Sequence, residues 1–334
     1  MKTSLRIPVL ALAAAFFAAG GLLSCVYDYD DDCGVWLEFI YDHNMEYADS
    51  FDPQVAAVDV YMFDSEGKYI SKRHATRREL TGGNRMLLTD ELPAGACRVL
   101  TVGNLTGSFI FSDGADSGPV PGVTSIEDMT LALEHGPGTF PDEIPSVWFG
   151  GAVTVENTND LSVHRVRLVK NTNNFNLTLV NTDNTEPTAW MPYSFEIRTP
   201  EEAVYSWTNA PAARQELTYT PYYHGPGTEP DQITAERIST CRLFYDDGYN
   251  YRLVVRYTPT GEVVWDYDLM TLLANTKPSK RPDGTALPMQ EYLDRQSEWN
   301  LIVLCKGEAG GSYGFTALAV NVNGWILWLK DIDV

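Results

Sequence analysis

The sequence predicts an all-β protein with two tandem β-sandwich domains and one short helix near the C-terminus. Short apolar runs recur along the chain, and residues rich in Gly, Pro, Asn and Asp separate them. Strands at such spacing, broken by turn residues, are typical of sandwiches. The 334 residues, less a leader of 24, suit two domains of about 100–200 residues each.

The first 24 residues have the features of a secretory signal peptide. Lys2 and Arg6 give a basic start, an apolar core covers 9–17, and small residues precede Cys25. A transmembrane helix is the alternative. The uncharged run 7–26 contains proline, glycines and alanines, whereas a spanning helix needs about 20 strongly apolar residues. We therefore expect cleavage and export.

The leader ends in Leu22-Leu23-Ser24-Cys25, which resembles the lipobox of bacterial lipoproteins. In a lipobox the cysteine is diacylated and becomes the first residue of the mature chain. Each buried methylene contributes about 0.8 kcal/mol, and two or more chains anchor stably. We expect acyl lipid on Cys25 and a lipidated acidic tether over 25–34, with an ordinary signal peptide as the alternative.

Strong acidity excludes several partners. The chain has 24 Lys and Arg against 45 Asp and Glu, a formal net charge of −21. Nucleic-acid binding needs a cationic surface, so no nucleic-acid partner is expected. Anionic lipid headgroups should also repel the chain, so that lipid rather than charge must hold it to a membrane.

Four cysteines remain once Cys25 is assigned to lipid: Cys33, Cys97, Cys241 and Cys305. An even number in an oxidising compartment makes them disulfide candidates. A Cys33–Cys97 bridge would lie in the first half and a Cys241–Cys305 bridge in the second. Four buried free thiols are the alternative, because most of these cysteines lie in apolar, strand-like runs.

The first sandwich is predicted over 35–158. Asp64-Ser65-Glu66-Gly67 and Leu92-Pro93-Ala94-Gly95 have the composition of turns. A long loop rich in Gly and Pro covers 104–145, and the polar stretch 156–160 marks the junction. The predicted strands are 35–41, 58–63, 68–72, 85–88, 97–102 and 146–155.

The second sandwich is predicted over 159–334. It opens with a strand pair, 163–170 and 173–181, and includes a helix near 288–299 with Pro288 in its first turn. Asn323-Gly324 is the strongest hairpin signal in the chain. The other predicted strands are 193–198, 241–245, 251–258, 263–267, 301–305, 313–322 and 325–329.

The sequence lacks the common motifs for metal and nucleotide chemistry. It contains no HExxH, CxxC or P-loop motif, and its five histidines are scattered. We expect no enzyme, no metal site and no cofactor. Arg77-Arg78 is a possible protease site, or more simply an exposed basic turn. One group of aromatics could stack on sugars or pack internally: Trp190, Tyr193, Tyr205, Trp207, Tyr219, Tyr222 and Tyr223.

Several ordered stretches resemble the FimB-like anchor lipoproteins of Bacteroidales fimbriae. Beyond the leader, the matching segments are 39–45, 51–64, Leu92-Pro93-Ala94-Gly95, Asp266-Tyr267-Asp268-Leu269, 288–296 and Val322-Asn323-Gly324-Trp325. The resemblance spans most of the mature chain and implies two transthyretin-like Greek-key sandwiches. It also implies a place at the base of a fimbrium, on the surface of the outer membrane, with pilin subunits as partners joined by strand exchange.

The same resemblance gives the acidic run a role. Asp28, Asp30, Asp31 and Asp32 stand just behind Cys25, where acidic residues resemble a surface-export signal. A flexible solvated tether is the simpler interpretation and is compatible with export. Anchor subunits are expected to keep their first strand, so we expect no functional cleavage at Arg77-Arg78. A surface carbohydrate-binding or adhesin lipoprotein is the alternative function.

Overall fold

A computed structural model describes residues 34–329, except 116–117, 159, 183–191, 202, 230, 247 and 307–314. Extended strands dominate these residues, and the predicted all-β class is confirmed. Cys25, Cys33 and the acidic run lie outside the described residues. The division into two domains and the transthyretin-like connection stay predictions.

Twenty-one strands and three short α-helices occur in the described residues. The strands are β1 (Val35–Ile40), β2 (Ala57–Phe63), β3 (Tyr69–Thr76), β4 (Arg85–Leu87), β5 (Gly95–Gly103), β6 (Phe109–Ser112), β7 (Thr130–Leu133), β8 (Thr139–Phe140), β9 (Trp148–Asn157), β10 (Ser162–Lys170), β11 (Thr172–Asn181), β12 (Tyr193–Thr199), β13 (Val204–Ser206), β14 (Leu217–Tyr219), β15 (Tyr223–Gly225), β16 (Gln232–Cys241), β17 (Arg252–Tyr257), β18 (Glu262–Asp268), β19 (Glu298–Lys306), β20 (Thr316–Val322) and β21 (Trp325–Trp328). The helices are α1 (Phe51–Gln54), α2 (Leu269–Ala274) and α3 (Met289–Arg295).

The strands form four sheets in the described part of the chain. The first sheet has the order β3-β2-β5-β9-β10-β1-β4, and the second β15-β16-β11-β19-β20-β21. The third has the order β18-β17-β12-β14-β8, and the small fourth β13-β7-β6. Three neighbouring pairs are parallel: β1 with β10, β11 with β19, and the short strands β8 and β14. Each of these pairs joins segments far apart in the sequence.

The middle of the first sheet, at β2 and β5, is buried on both faces, and β2 shows why. Val60 and Met62 point into one core, while Tyr61 and Phe63 point into another. Side chains alternate across a strand, so a strand buried on both faces is apolar at nearly every position. The ring of Tyr61 meets that of Phe111 on β6 edge to face, at 4.6 Å between centroids. The small fourth sheet therefore covers the second face.

The larger core joins both halves of the sequence. It contains Tyr61 and Leu100 from the first sheet together with Phe175 and Phe195 from the second and third. At about 25 cal/mol per Å² of apolar surface removed from water, such a shared core couples the sheets strongly. Residues on both sides of the predicted 158–159 boundary therefore support one another.

The predicted pairing of 163–170 with 173–181 is wrong. β10 belongs to the first sheet, between β9 and β1, while β11 belongs to the second, between β16 and β19. Between them the backbone N–H of Asn171 donates to the carbonyl of Val147, 2.8 Å away. Alternation along a strand predicts its faces but not its neighbours. The change of sheet thus falls at Asn171, beyond the predicted boundary.

Two helical details also differ from the prediction. The helix expected over 288–299 covers Met289–Arg295, and β19 already begins at Glu298. The sequence pattern missed α2, whose N-cap is Asp268; its carboxylate accepts a hydrogen bond from the backbone of Thr271. The strand expected over 241–245 is absent: β16 ends at Cys241, and residues 242–245 form no strand.

Hydrogen bonds between buried polar groups stabilise the segment around Asn171, where the chain passes from the first sheet to the second. The side-chain amides of Asn171 and Asn209 donate to each other's oxygens at 2.5 and 3.0 Å. Arg242 donates to the Asn209 carbonyl at 2.7 Å and makes a two-point ion pair with Asp294 on α3. Every one of these groups would cost free energy if it were buried without a partner.

Asn171→Ala should lower the free energy of unfolding by about 1–3 kcal/mol, because it leaves the buried Asn209 amide unpaired. Equilibrium unfolding in urea would measure this loss. The matched control is Asn176→Ala, which removes an exposed amide bonded to Asn300 at 3.0 Å. A loss for Asn171→Ala no greater than for Asn176→Ala would contradict the structural importance of this pair.

Candidate attachment site at the edge of the second sheet

β21 lies at one edge of the second sheet and pairs only with β20 among the described residues. Its sequence is Trp325-Ile326-Leu327-Trp328, without a charge. One side of its backbone therefore carries N–H and C=O groups that face no other described strand. Such an edge is a template for pairing with another chain.

A tight turn fixes the position of this strand. Asn323 and Gly324 both have positive φ, 47° and 91°, as a two-residue hairpin turn requires. The side-chain oxygen of Asn323 accepts from the backbone of Asn300 at 2.8 Å, and that of Asn321 accepts from Gly324 at 2.8 Å. The hairpin predicted at Asn323-Gly324 is present, between β20 and β21.

Large apolar side chains are exposed on β21. Trp325, Ile326 and Trp328 are 67%, 52% and 57% exposed, while Leu327 packs against the larger core. Ile326 and Trp328 share the outer face of the sheet, where the register places Ile302 and Leu304 of β19 two strands away. Apolar surface contiguous with an open edge favours contact with a partner protein.

Most of the other sheet edges in the described structure are blunted. β4, β13 and β15 have three residues each and β8 has two, while β6 has four, as β21 does, but exposes Ile110 alone among its large apolar side chains. β3 carries Lys72, Arg73 and His74, and β18 carries Glu262, Asp266 and Asp268. Short strands and charges are the usual protections of an edge. β21 lacks charge and exposes two tryptophans, which distinguishes it from the others.

The predicted Cys241–Cys305 disulfide is wrong. Cys241 lies opposite Thr172 at the start of β11, and Cys305 lies opposite Asn181 at its end. At about 3.3 Å per residue they stand roughly 30 Å apart along β11, whereas a disulfide needs Cα atoms about 4.4–6.8 Å apart. The thiol of Cys305 instead donates to the Val180 carbonyl at 3.4 Å.

Cys97 and Cys241 are buried thiols. The thiol of Cys97 donates to the Pro93 carbonyl at 3.6 Å, and its candidate partner Cys33 lies outside the described residues. Burial raises the pKa of the Cys241 thiol to about 12. Because the thiolate is the reactive form, Cys241 is chemically inert at neutral pH. Cys97 and Cys241 therefore fit the alternative of buried thiols.

Two roles were open for one group of aromatics, stacking on sugars or internal packing, and most of the described members pack internally. Tyr193, Tyr205 and Tyr219 are buried in the larger core, whereas Tyr223 is exposed. Trp190 lies outside the described residues. Arg77 and Arg78 are exposed in a short 3-10 turn after β3, which fits the simple interpretation of a basic turn.

One buried carboxyl lies within the larger core. Glu201 is 3% exposed; one of its oxygens accepts from the hydroxyl of Tyr251, and the other has no partner among the described residues. Burial raises the pKa of Glu201 to about 7, although the bond from Tyr251 opposes this. Desolvation disfavours the charged form, so the acid is half protonated near neutral pH.

The described residues hold no group of three or more His, Cys, Asp or Glu that could bind a metal ion. None of their helices is both long and apolar enough to cross a membrane.

Comparison with known proteins points to fimbriae. The family model for fimbrillin-A associated anchor proteins Mfa1 and Mfa2 matches residues 29–331. The minor fimbrium anchoring subunit Mfa2 of Porphyromonas gingivalis is 23% identical over 288 residues, which are 80% of this chain and 82% of that protein.

Two solved structures share the fold. A candidate adhesin from Bacteroides ovatus is 42% identical, with a TM-score of 0.83 over 90% of this chain and 96% of that one. A candidate polysaccharide-binding protein from Bacteroides thetaiotaomicron is 25% identical, with a TM-score of 0.76 over 90% of this chain and 99% of that one.

Glu201→Gln should flatten the pH dependence of stability. The pKa of Glu201 is raised from 4.5 to about 7, so the folded state binds the proton more tightly. Stability is then lost as pH rises from about 4.5 to about 7, on the order of 3 kcal/mol in all. Urea unfolding at pH 4 and pH 8 would measure the difference. Glu216→Gln, at an exposed position, is the control; equal pH profiles for the two variants would contradict the assignment.

Proposed function

Because the chain belongs to the family of fimbrillin-A associated anchor proteins, we propose that lipid on Cys25 holds it in the outer membrane while β21 accepts a pilin strand. A fimbrial anchor role follows from the family, whose members are structural proteins rather than enzymes. Lipidation of Cys25, attachment to the outer membrane and strand exchange at β21 are what we add to that role as proposals. The open, uncharged edge of β21 is the observation that carries it.

Strand addition at β21 has a direct physical basis. A pilin strand laid beside β21 would form main-chain hydrogen bonds with the free side of its backbone. Ile326 and Trp328 are exposed on the outer face, where a second strand could bury them. Main-chain bonds give affinity in this mode, and pockets for alternate side chains give specificity.

The attachment to the membrane rests on the sequence. The leader ends in Leu22-Leu23-Ser24-Cys25, and Asp28, Asp30, Asp31 and Asp32 follow as the proposed export signal. The net charge of −21 offers no electrostatic attraction to anionic lipid, so acyl chains on Cys25 would supply the affinity. The tether would place the sandwiches just above the outer membrane.

Polysaccharide binding is a second candidate. The Bacteroides thetaiotaomicron relative is described as a candidate polysaccharide-binding protein, and the Bacteroides ovatus relative as a candidate adhesin. The exposed indoles of Trp325 and Trp328 could stack on sugar rings. Strand addition needs the free backbone of β21, whereas sugar stacking needs only the rings, so the two functions can be separated by mutation.

Ile326→Lys should abolish co-purification of pilin subunits with the membrane-bound protein. A lysine on an edge strand opposes the approach of a second strand. The measurement is affinity purification from outer membranes, followed by identification of the pilins. Val263→Lys makes the same change at a 40% exposed valine of the edge strand β18, and it should leave the yield of pilin unchanged.

Undiminished pilin recovery with Ile326→Lys would exclude β21 as the attachment edge. This variant keeps both indole rings. Polysaccharide binding that survives in Ile326→Lys, with pilin binding lost, would show that the edge and the rings act separately.

Cys25→Ala should release the protein from the outer membrane, because it removes the proposed site of lipidation. Cell fractionation followed by immunoblotting would show the protein in the medium or periplasm. Cys33→Ala is the matched control and should stay with the membrane. Membrane retention of the Cys25→Ala protein would overturn the lipid anchor without bearing on β21.

A further inference from the structure

Two of the three parallel strand pairs are long, and they lie in different sheets. β1 and β10 pair from Val35 opposite Ser162 to Ile40 opposite Arg167. β11 and β19 pair from Asn174 opposite Glu298 to Asn181 opposite Cys305. β10 ends at Lys170 and β11 begins at Thr172, on either side of Asn171, where the chain changes sheet.

Side chains join the two pairs at that point. The ammonium of Lys170, at the end of β10, lies 3.3 Å from the carboxylate of Glu298 and 3.2 Å from the hydroxyl of Ser297. The Lys170 side chain is 6% exposed. The end of the first parallel pair is therefore in contact with the start of the second.

Arg295 makes a second link. It donates to the backbone carbonyls of Asp42 and Asn44 at 2.9 and 3.0 Å, in the loop that follows β1. Its guanidinium lies 4.2 Å from the ring centre of Tyr47, and Glu291 accepts from it at 2.8 Å. This loop after β1 is thus tied to the residue that ends α3, three positions before β19.

We propose that this topology makes the protein a tension coupler, in which β1–β10 and β11–β19 are two shear clamps in series and Arg295 bridges them. The inference rests on the proposed function, since it takes tension to enter at the N-terminal tether and to leave through β21. Nothing in it depends on which pilin is bound.

Strand direction decides how the hydrogen bonds meet the force. Tension enters β1 at Val35 and leaves β10 at Lys170, which are opposite ends of the pair. The force then acts along the strands, so that all the evenly spaced bonds of the parallel pair resist it together. Forces applied at the same end of both strands would instead open the bonds one after another.

The second pair repeats this arrangement. Tension passes from Lys170 through Asn171 into the start of β11, and the attachment edge lies beyond β19 and β20. β20 is antiparallel to β19 and β21 is antiparallel to β20, so β21 runs in the same direction as β19. Force drawn from the C-terminal end of β21 therefore also acts along the strands of the second sheet.

Single-molecule force spectroscopy on the mature chain without lipid tests the proposal. In one geometry the handles are at the two chain termini. In the other, one handle is at the N-terminus and one is on an azide-bearing residue in place of the exposed Asp160, just before β10. The backbone of Ser162 donates to Gly34 at 2.9 Å, so the second geometry pulls β1 and β10 apart from the same end.

The expected result is a several-fold higher unfolding force between the termini than between the N-terminus and position 160. Equal forces in the two geometries would overturn the shear clamps. Because no membrane or pilin is present, this outcome is independent of whether Cys25→Ala and Ile326→Lys behave as the proposed function requires.

Arg295→Gln tests the bridge. It should lower the unfolding force between the termini and leave the force between the N-terminus and position 160 unchanged, because Arg295 is not near the start of β1 or β10. The control is Arg252→Gln, which removes a 2.7 Å ion pair with Asp266 away from both clamps. An equal fractional fall in both geometries would mean that Arg295 only stabilises the fold, and would overturn the bridge.

Discussion

The structure depends on the way in which Asn171 is satisfied. At this residue the chain leaves the first sheet and enters the second, so neither sheet can satisfy all of its polar groups. Its N–H bonds to Val147 and its side chain to Asn209, and Arg242 continues the network to Asp294 on α3. Because buried polar groups require partners, this network permits one arrangement of the two sheets. The shared core and the position of α3 follow from that arrangement.

Local sequence patterns predicted most strands but not their neighbours. The patterns of 163–170 and 173–181 correctly predicted two strands, β10 and β11. Pairing depends on contacts between segments far apart in the chain, such as β1 with β10, which no local pattern records. The Cys241–Cys305 bridge failed for the same reason: the length of β11 separates two residues that the sequence makes look like partners.

The proposed attachment edge is recognised from the structure, whereas the proposed lipid site is recognised from the sequence. Asn323-Gly324 predicted the hairpin, and the uncharged run Trp325-Ile326-Leu327-Trp328 was visible in the sequence. The sequence does not show that this run forms an edge strand, because that depends on the order of strands in the sheet. Cys25, in contrast, was identified by the leader alone and lies outside the described residues. The two proposed sites lie near opposite ends of the sequence.

The open edge of β21 also has a consequence for the life of the protein before assembly. An edge that is open to the proposed pilin strand is equally open to β21 of another copy, and two exposed tryptophans would strengthen that contact. The surplus of 45 acidic over 24 basic residues opposes it, because copies with a net charge of −21 repel one another. The acidity of the chain therefore acts as a built-in safeguard against premature self-association, and it weakens as the ionic strength rises.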